Sequence, residues 1–279
     1  MVEPDLFHRL TAFANGSAMT TNKTIAVFDA GIGSYQIARK IADRYPAQDV
    51  IYFADRANFP YGSKTRGQLL QIMRDTIARL TSYDPAAIVI ASNAPSVMVL
   101  EELQVDSAIP LIGVFPPVRK ALSLSQTGHV AVLGVDSLIA SAEIRDYVAR
   151  EAADAGPNHS HVSLIAASDL VGYVESGAFL TAPEQTLGAV RDKLASLDPR
   201  IDVITLSSTH LPWLMRYFKQ ASAITALDPA DDVVELLAPY VTPGAGSFTT
   251  LLSEREGYDL NGFIAMTDRL GLHLDVTCI

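Results

Sequence analysis

The sequence predicts an α/β protein made of two similar domains, each with a mainly parallel sheet, facing each other across a cleft. Three observations carry this expectation. Short apolar, β-rich runs alternate with stretches of helical spacing, the order that parallel βαβ units produce. Residues 86–91 are wholly apolar, as befits a parallel strand covered on both faces. The alternation also runs once up to residue 114 and restarts at residue 129, without a fixed-period repeat of the solenoid kind.

Taken in order, residues 24–29 read as the first strand, followed by the Gly31–Gly33 turn and a helix over residues 35–44. Residues 49–54 form a second strand. Helical spacing then runs over 67–82, with Leu69, Leu70, Ile72, Met73, Ile77 and Leu80 on one face. A strand at 86–91, a helix at 97–104 and a strand at 111–114 complete the first half. The second half has strands at 129–134, 162–166 and 202–206, with helices near 141–153, 183–196 and 210–220. A short strand at 223–226 precedes Asp228–Pro229 and a helix over 231–237. Beyond Pro243 the chain turns polar and glycine-containing, with 248–251 expected as an edge strand. The division that follows is residues 23–114 plus 234–279 for the first domain and 115–233 for the second. Residues 1–22 form an N-terminal extension, either a short helix around Leu6, Phe7 and Leu10 or an arm ordered on assembly.

Composition narrows the function. Hydrophobic residues at 49% and charged residues at 19% describe a soluble globular chain. A net charge of −10 argues against a nucleic-acid partner, and no block of like charges overrides it. A small acidic ligand would need backbone donors or local positive potential, because the global field repels it. The single cysteine, Cys278, rules out an intrachain disulfide and paired-cysteine metal sites, and its terminal position outside every motif makes it a bystander. His159 and His161 have no carboxylate cluster at ligand spacing and read as a polar loop before a strand, so no metal is expected. The apolar runs are too short to span a bilayer, and residues 1–22 lack the features of a signal peptide. The cytoplasm is the expected compartment.

Polar residues stand at the C-terminal ends of the most apolar strands: Asp29, Ser92–Asn93 and Ser207-Ser208-Thr209-His210. Ligands bind at that edge of open parallel sheets, where helix N-termini aim N–H groups at anions. The same residue types are the preferred helix caps. Three such places together with a histidine weigh toward a site. Gly31-Ile32-Gly33 is not a dinucleotide fingerprint, because Gln36 stands where the third glycine belongs. A phosphate-binding Walker loop and a Gly-x-Ser-x-Gly elbow are both missing from the sequence. Trp213 reads as core or interface. Lys64 and Arg66 supply either local positive charge or solvated loop charge.

At these positions the chain resembles the glutamate racemases of the aspartate/glutamate racemase superfamily. Val27-Phe28-Asp29-Ala30-Gly31-Ile32-Gly33 is similar to their FDSGxGG opening, and Phe59-Pro60-Tyr61-Gly62-Ser63-Lys64 to their PYGxK segment. Ile90-Ala91-Ser92-Asn93-Ala94 resembles ACNTA, and Leu206-Ser207-Ser208-Thr209-His210-Leu211-Pro212 resembles LGCTHYP. Leu170-Val171-Gly172-Tyr173-Val174-Glu175 is similar to a further LVxxVE stretch. The likeness covers roughly residues 23–270. It implies proton transfer at Cα of an acidic amino acid by two opposed bases, without a cofactor. Carried over, the bases are Ser92 assisted by Asp29, and Ser208 assisted by His210 and Glu175. Tyr61, Gly62, Asn93 and Thr209 would donate to the substrate, with Ala30, Pro60 and Ala94 completing the binding floor. The implied partner is a small acidic amino acid or dicarboxylate, and family members are often homodimers.

Serine stands at both positions where the family has its catalytic cysteines. A thiol near 8.5 can be tuned toward working pH. A hydroxyl taken as water-like, at ~15.7, is about seven units away, or on the order of 10 kcal/mol. A neighbouring base can offset part of this by taking the proton. His210 and Glu175 suit Ser208, whereas Asp29 is a poor base for Ser92. Ala30 and Ala94 also replace family hydroxyls that contact substrate. An engineered Cys→Ser pair would leave those hydroxyls in place, which favours natural divergence. Two outcomes stay open: a weakened or altered racemase, or a non-catalytic relative that binds a small carboxylate or a partner.

Overall fold

The computed structural model describes residues 22–154 and 161–279, so the helix considered around Leu6, Phe7 and Leu10, and His159, lie outside the described residues. The first half runs β1 (Ile25–Asp29), α1 (Tyr35–Arg44), β2 (Val50–Asp55), α2 (Arg66–Thr81), β3 (Ala87–Ile90), α3 (Asn93–Asp106), β4 (Leu111–Gly113) and α4 (Val118–Leu124). Next come β5 (His129–Gly134), α5 (Asp136–Ala140), α6 (Ala142–Asp154), β6 (His161–Ala166), α7 (Ser168–Glu175), α8 (Ala178–Thr181), α9 (Pro183–Ala195) and β7 (Val203–Ser207). The chain ends with α10 (Met215–Ala221), β8 (Thr225–Leu227), α11 (Ala230–Leu236), β9 (Phe248–Ser253), α12 (Leu260–Arg269) and β10 (Val276–Cys278).

Two parallel sheets result. One has the order β10-β9-β2-β1-β3-β4 and the other β6-β5-β7-β8. All their pairings are parallel, so the C-terminal ends of the strands in each sheet gather along one edge. The strands are hydrophobic on both sides because helices cover both faces. Successive β1 residues go to opposite layers: Ile25 and Val27 join one cluster, and Ala26 and Phe28 join another with Leu69, Met73 and Ile88. The first of these clusters does not stop at the sheet. It continues through Ile32 and Leu211 to Leu133, Ile204 and Leu206 of the other sheet, so the halves share one apolar core.

Several expectations change in detail. The strand at 248–251, expected at an edge, is interior: β9 pairs with β2 on one side and β10 on the other. Its buried Leu251 and Leu252 take the place in the core that the polar surroundings concealed. Helix α3 starts at Asn93 rather than near residue 97, because Pro95 falls in the first turn, where a missing N–H costs nothing. The helix expected over 210–220 is divided, with a 3₁₀ turn at Leu211–Leu214 containing Pro212 ahead of α10. Helices α4, α5, α7, α8 and α12 and strand β10 were not among the expected elements. Helix α11 spans residue 233 and packs on α1, where Tyr45 Oη donates to the Val234 carbonyl at 3.1 Å and Lys40 bridges Asp228 and Asp231. Among the described residues no helix is long and apolar enough to cross a membrane.

One buried side chain reinforces the pairing that joins the C-terminal segment to the first sheet. Gln48 Nε2 donates to the carbonyls of Lys23 (2.7 Å) and Asp49 (2.9 Å), and its Oε1 accepts from the Thr242 N–H at 2.7 Å. A buried group stripped of its partner costs about 1–3 kcal/mol. Gln48→Leu leaves the Thr242 N–H without its acceptor, whereas the Lys23 carbonyl keeps the Thr242 hydroxyl and the Asp49 carbonyl keeps the Ile25 N–H, so it is expected to lower the urea midpoint by the equivalent of about 1–3 kcal/mol. An unchanged midpoint would show that the tie is redundant.

Candidate functional site

The C-terminal edges of the two sheets enclose a cavity of about 420 Å³. Asp29 ends β1, Ser92 and Asn93 follow β3, and Ser207 to His210 follow β7, so each arrives at the cavity by the rule of strand ends. Helix α7 brings Glu175, and the turn after β2 brings Pro60, Tyr61 and Gly62. Ala30, Ala94, Ser208 and Thr209 complete the set, so every residue singled out from the sequence borders this one space. A more open recess of about 630 Å³ lies beside Lys40, Lys120 and Trp213. Its strand-end polar residue, Asp228 after β8, is held by Lys40, which also pairs with Asp231, and Lys120 is paired with Asp232.

Two acid–base groupings meet in the cavity. Asp29 accepts from the Ala30 N–H at 2.7 Å and from the Thr209 hydroxyl at 3.0 Å, a bond that joins the two sheets. Burial lifts its carboxyl to about 6, against the pull of His210, the Ala30 N–H, Thr209 and Ser92 toward the ionised form. Glu175 Oε1 accepts from His210 Nε2 at 2.6 Å and from the Ile32 N–H at 3.1 Å, while Oε2 accepts from Arg56 at 3.1 Å. Burial alone would raise Glu175, but the His210 hydrogen bond, the charges of His210 and Arg56 and the Ile32 N–H outweigh it and bring the carboxyl to about 2. The two carboxyl groups are thus driven in opposite directions within one site.

The remaining polar groups are largely committed. The Tyr61 hydroxyl donates to Asp55 at 2.8 Å, and burial followed by that carboxylate keeps it protonated. Asp55 also accepts from Ser253 at 2.6 Å and from Asn58, which holds the Pro60–Gly62 segment to the sheet. Asn93 gives one of its two Nδ2 N–H groups to the Val114 carbonyl at 3.1 Å. Its Oδ1 is left buried with no partner among the described residues. Further donors border the cavity: the Ser208 hydroxyl, and the backbone N–H groups at the start of α3, where Ser92 makes no side-chain cap bond.

Gly31 and Gly33 acquire a reason that has nothing to do with nucleotides. A Cβ at Gly31 would stand 2.5 Å from His210 Cε1 and 2.9 Å from Glu175 Oε1, and one at Gly33 would stand 2.6 Å from the Thr209 carbonyl carbon. The glycines let the loop after β1 press against the loop after β7, and Trp213 Nε1 donates to the Gly33 carbonyl at 3.2 Å beside them.

Sequence reasoning missed part of the lining. Val135 and Asp136 after β5 and Ser168 after β6 obey the same strand-end rule, and applying it to every strand would have found them. Arg56, in a short turn outside any motif, gave no signal.

Two outcomes are expected. Gly33→Ala overpacks the contact and destabilises by about 1–3 kcal/mol, read from chemical denaturation. Asp29 binds its proton more tightly folded than unfolded, so its contribution to stability is present below pH 3.8 and lost as pH rises through about 6. Asp29→Asn is therefore more stable than the parent above that range, by on the order of 3 kcal/mol, and equal to it at pH 3. A parent curve lacking this slope would contradict the assignment.

The family described as Asp/Glu/Hydantoin racemase matches residues 30–237. The glutamate racemase of Bacillus cereus is 32% identical over 204 residues, 72% of this chain and 73% of that protein. Among solved structures, glutamate racemase isoform RacE1 from Bacillus anthracis superposes with a TM-score of 0.79 at 22% identity, covering 93% of this chain and 98% of that one. The glutamate racemase of Francisella tularensis, solved with D-glutamate, gives a TM-score of 0.74 at 21% identity over 92% and 97% of the two chains.

Proposed function

Given that this chain belongs to the Asp/Glu/Hydantoin racemase family, we propose that its cavity binds a small acidic amino acid, glutamate foremost, and moves the proton at Cα without a cofactor. The observation that carries this reading is the convergence of two acid–base groupings, Asp29 with Ser92 and His210 with Glu175 and Ser208, on one cavity from two sheets. A two-base exchange needs such an arrangement: one side withdraws a proton while the other delivers one, so configuration inverts and no net proton is consumed. The unpaired Asn93 Oδ1 suits a substrate ammonium. The first N–H groups of α3 suit a carboxylate.

The two serines set how the proton travels. At about 6, Asp29 is a stronger base than a free carboxylate, yet it lies roughly ten units below a water-like hydroxyl near 15.7. Ser92 therefore passes the proton on in the same step and never rests as an alkoxide. Ser208 stands in the same relation to His210. This makes for a slow racemase. The pair of serines also favours a second reading, a site that binds its carboxylate ligand and leaves Cα untouched.

Exchange of the α-proton into deuterated water, followed with D- and L-glutamate and D- and L-aspartate, separates the two. Exchange above background with at least one pair is expected. A ligand that raises the melting temperature with no exchange would leave only binding. Ser92→Cys combined with Ser208→Cys is expected to accelerate exchange by about a hundredfold or more, the span of a well-matched acid–base pair. No acceleration would place the limit in Ala30 and Ala94 instead.

A further inference from the structure

Resting on the proton-transfer reading above, we infer that Arg56 is a positioning residue of this site, spanning the cleft from the Ala30 carbonyl to Glu175 and sharing with His210 the balancing of that carboxylate. Arg56 is 7% exposed and reaches the site from the 3₁₀ turn after β2. Its Nη1 donates to the Ala30 carbonyl and to Glu175 Oε2, both at 3.1 Å. The guanidinium lies against the rings of Phe59, at 4.4 Å, and Tyr258, at 5.3 Å. A planar cation held by aromatic faces and a carbonyl has little freedom to leave.

The consequence follows from counting charges. The charged and titratable groups facing His210 are Glu175 and Asp29, with Arg56 directly behind Glu175. Without Arg56, a neutral His210 would leave two buried carboxylates with no cation, so the ring would hold its proton to supply one. With Arg56 in place, Glu175 has a second cation on its other oxygen, at 3.1 Å. Because Oε2 is taken by Arg56, Oε1 faces His210 Nε2. An ionised Glu175 only accepts, so Nε2 carries the hydrogen and Nδ1 is the nitrogen left to exchange a proton. Arg56 thereby sets both the orientation and the basicity of a group it does not touch.

The test uses the full chain with Arg56→Met and Arg56→Lys, and reads the His210 ring by NMR across pH alongside kcat and KM for glutamate exchange. Arg56→Met is expected to raise the pH at which His210 releases its proton by about one unit, a tenfold change in affinity for the proton. It should also lower kcat at neutral pH at least tenfold with KM little changed, the loss shrinking as pH rises. Arg56→Lys, which keeps the charge, should restore most of both. A His210 titration unchanged in a folded Arg56→Met protein overturns the inference, and so does an Arg56→Lys protein that titrates like the Met variant. Should Arg56→Met not fold, it is combined with Glu175→Gln, which removes the charge Arg56 balances. His210 then titrates as in Glu175→Gln alone, and a further shift overturns the inference. If the parent exchanges no proton with any substrate, the proton-transfer reading fails while the His210 titration still decides what Arg56 does.

Discussion

The contact between the loop after β1 and the loop after β7 is the constraint on which the rest of the site depends. Gly31 and Gly33 bring the backbone so near Thr209 and His210 that no side chain fits between them. Three hydrogen bonds cross at the same place: Thr209 to Asp29, the Ile32 N–H to Glu175, and Trp213 to the Gly33 carbonyl. The contact excludes water from Asp29, lifting its carboxyl, and seats Glu175 among donors, lowering its own. One packing decision thus produces two carboxyl groups of opposite character, which is how a single site keeps a proton acceptor and a permanent charge side by side.

Much of this was legible in the residues, and what was not has identifiable causes. The strands were readable because parallel strands bury both faces and so appear as unbroken apolar runs such as residues 87–90. Asp29, Ser92, Thr209 and His210 were readable because polar residues directly after such runs have few other places to go. Strand β9 looked like an edge because its flanks are polar and glycine-containing, although the tertiary pairing with β2 and β10 is what decides. Helix α3 was placed too late because Pro95 reads as an interruption until its first-turn position is known. Arg56 was invisible for a different reason. An arginine becomes internal only when a carboxylate, a carbonyl and aromatic rings from distant parts of the chain converge on it, and none of them is near it in sequence except Phe59.

Serine in place of the family's cysteines alters the chemistry more than the architecture. The side chains differ by one atom, and the backbone positions of Ser92 and Ser208 still follow from β3 and β7. What changes is the acidity available at those points, and with it the weight placed on neighbouring groups. On the proposed reading, Asp29, His210 and Glu175 then govern whether a proton moves at all, with Arg56 behind Glu175. The exchange of nearby hydroxyls for Ala30 and Ala94 fits a pocket adjusted as a unit.

The apolar core shared by the two sheets bears on how a ligand gets in. Ile32, Leu206 and Leu211 belong to one continuous cluster, so swinging the halves apart would expose hydrocarbon to water, at roughly 25 cal/mol for each Å² uncovered. Wide jaw-like opening is therefore disfavoured. Admission of ligand has to leave that core intact, which makes it a matter of the loops around the cavity rim rather than of the two sheets.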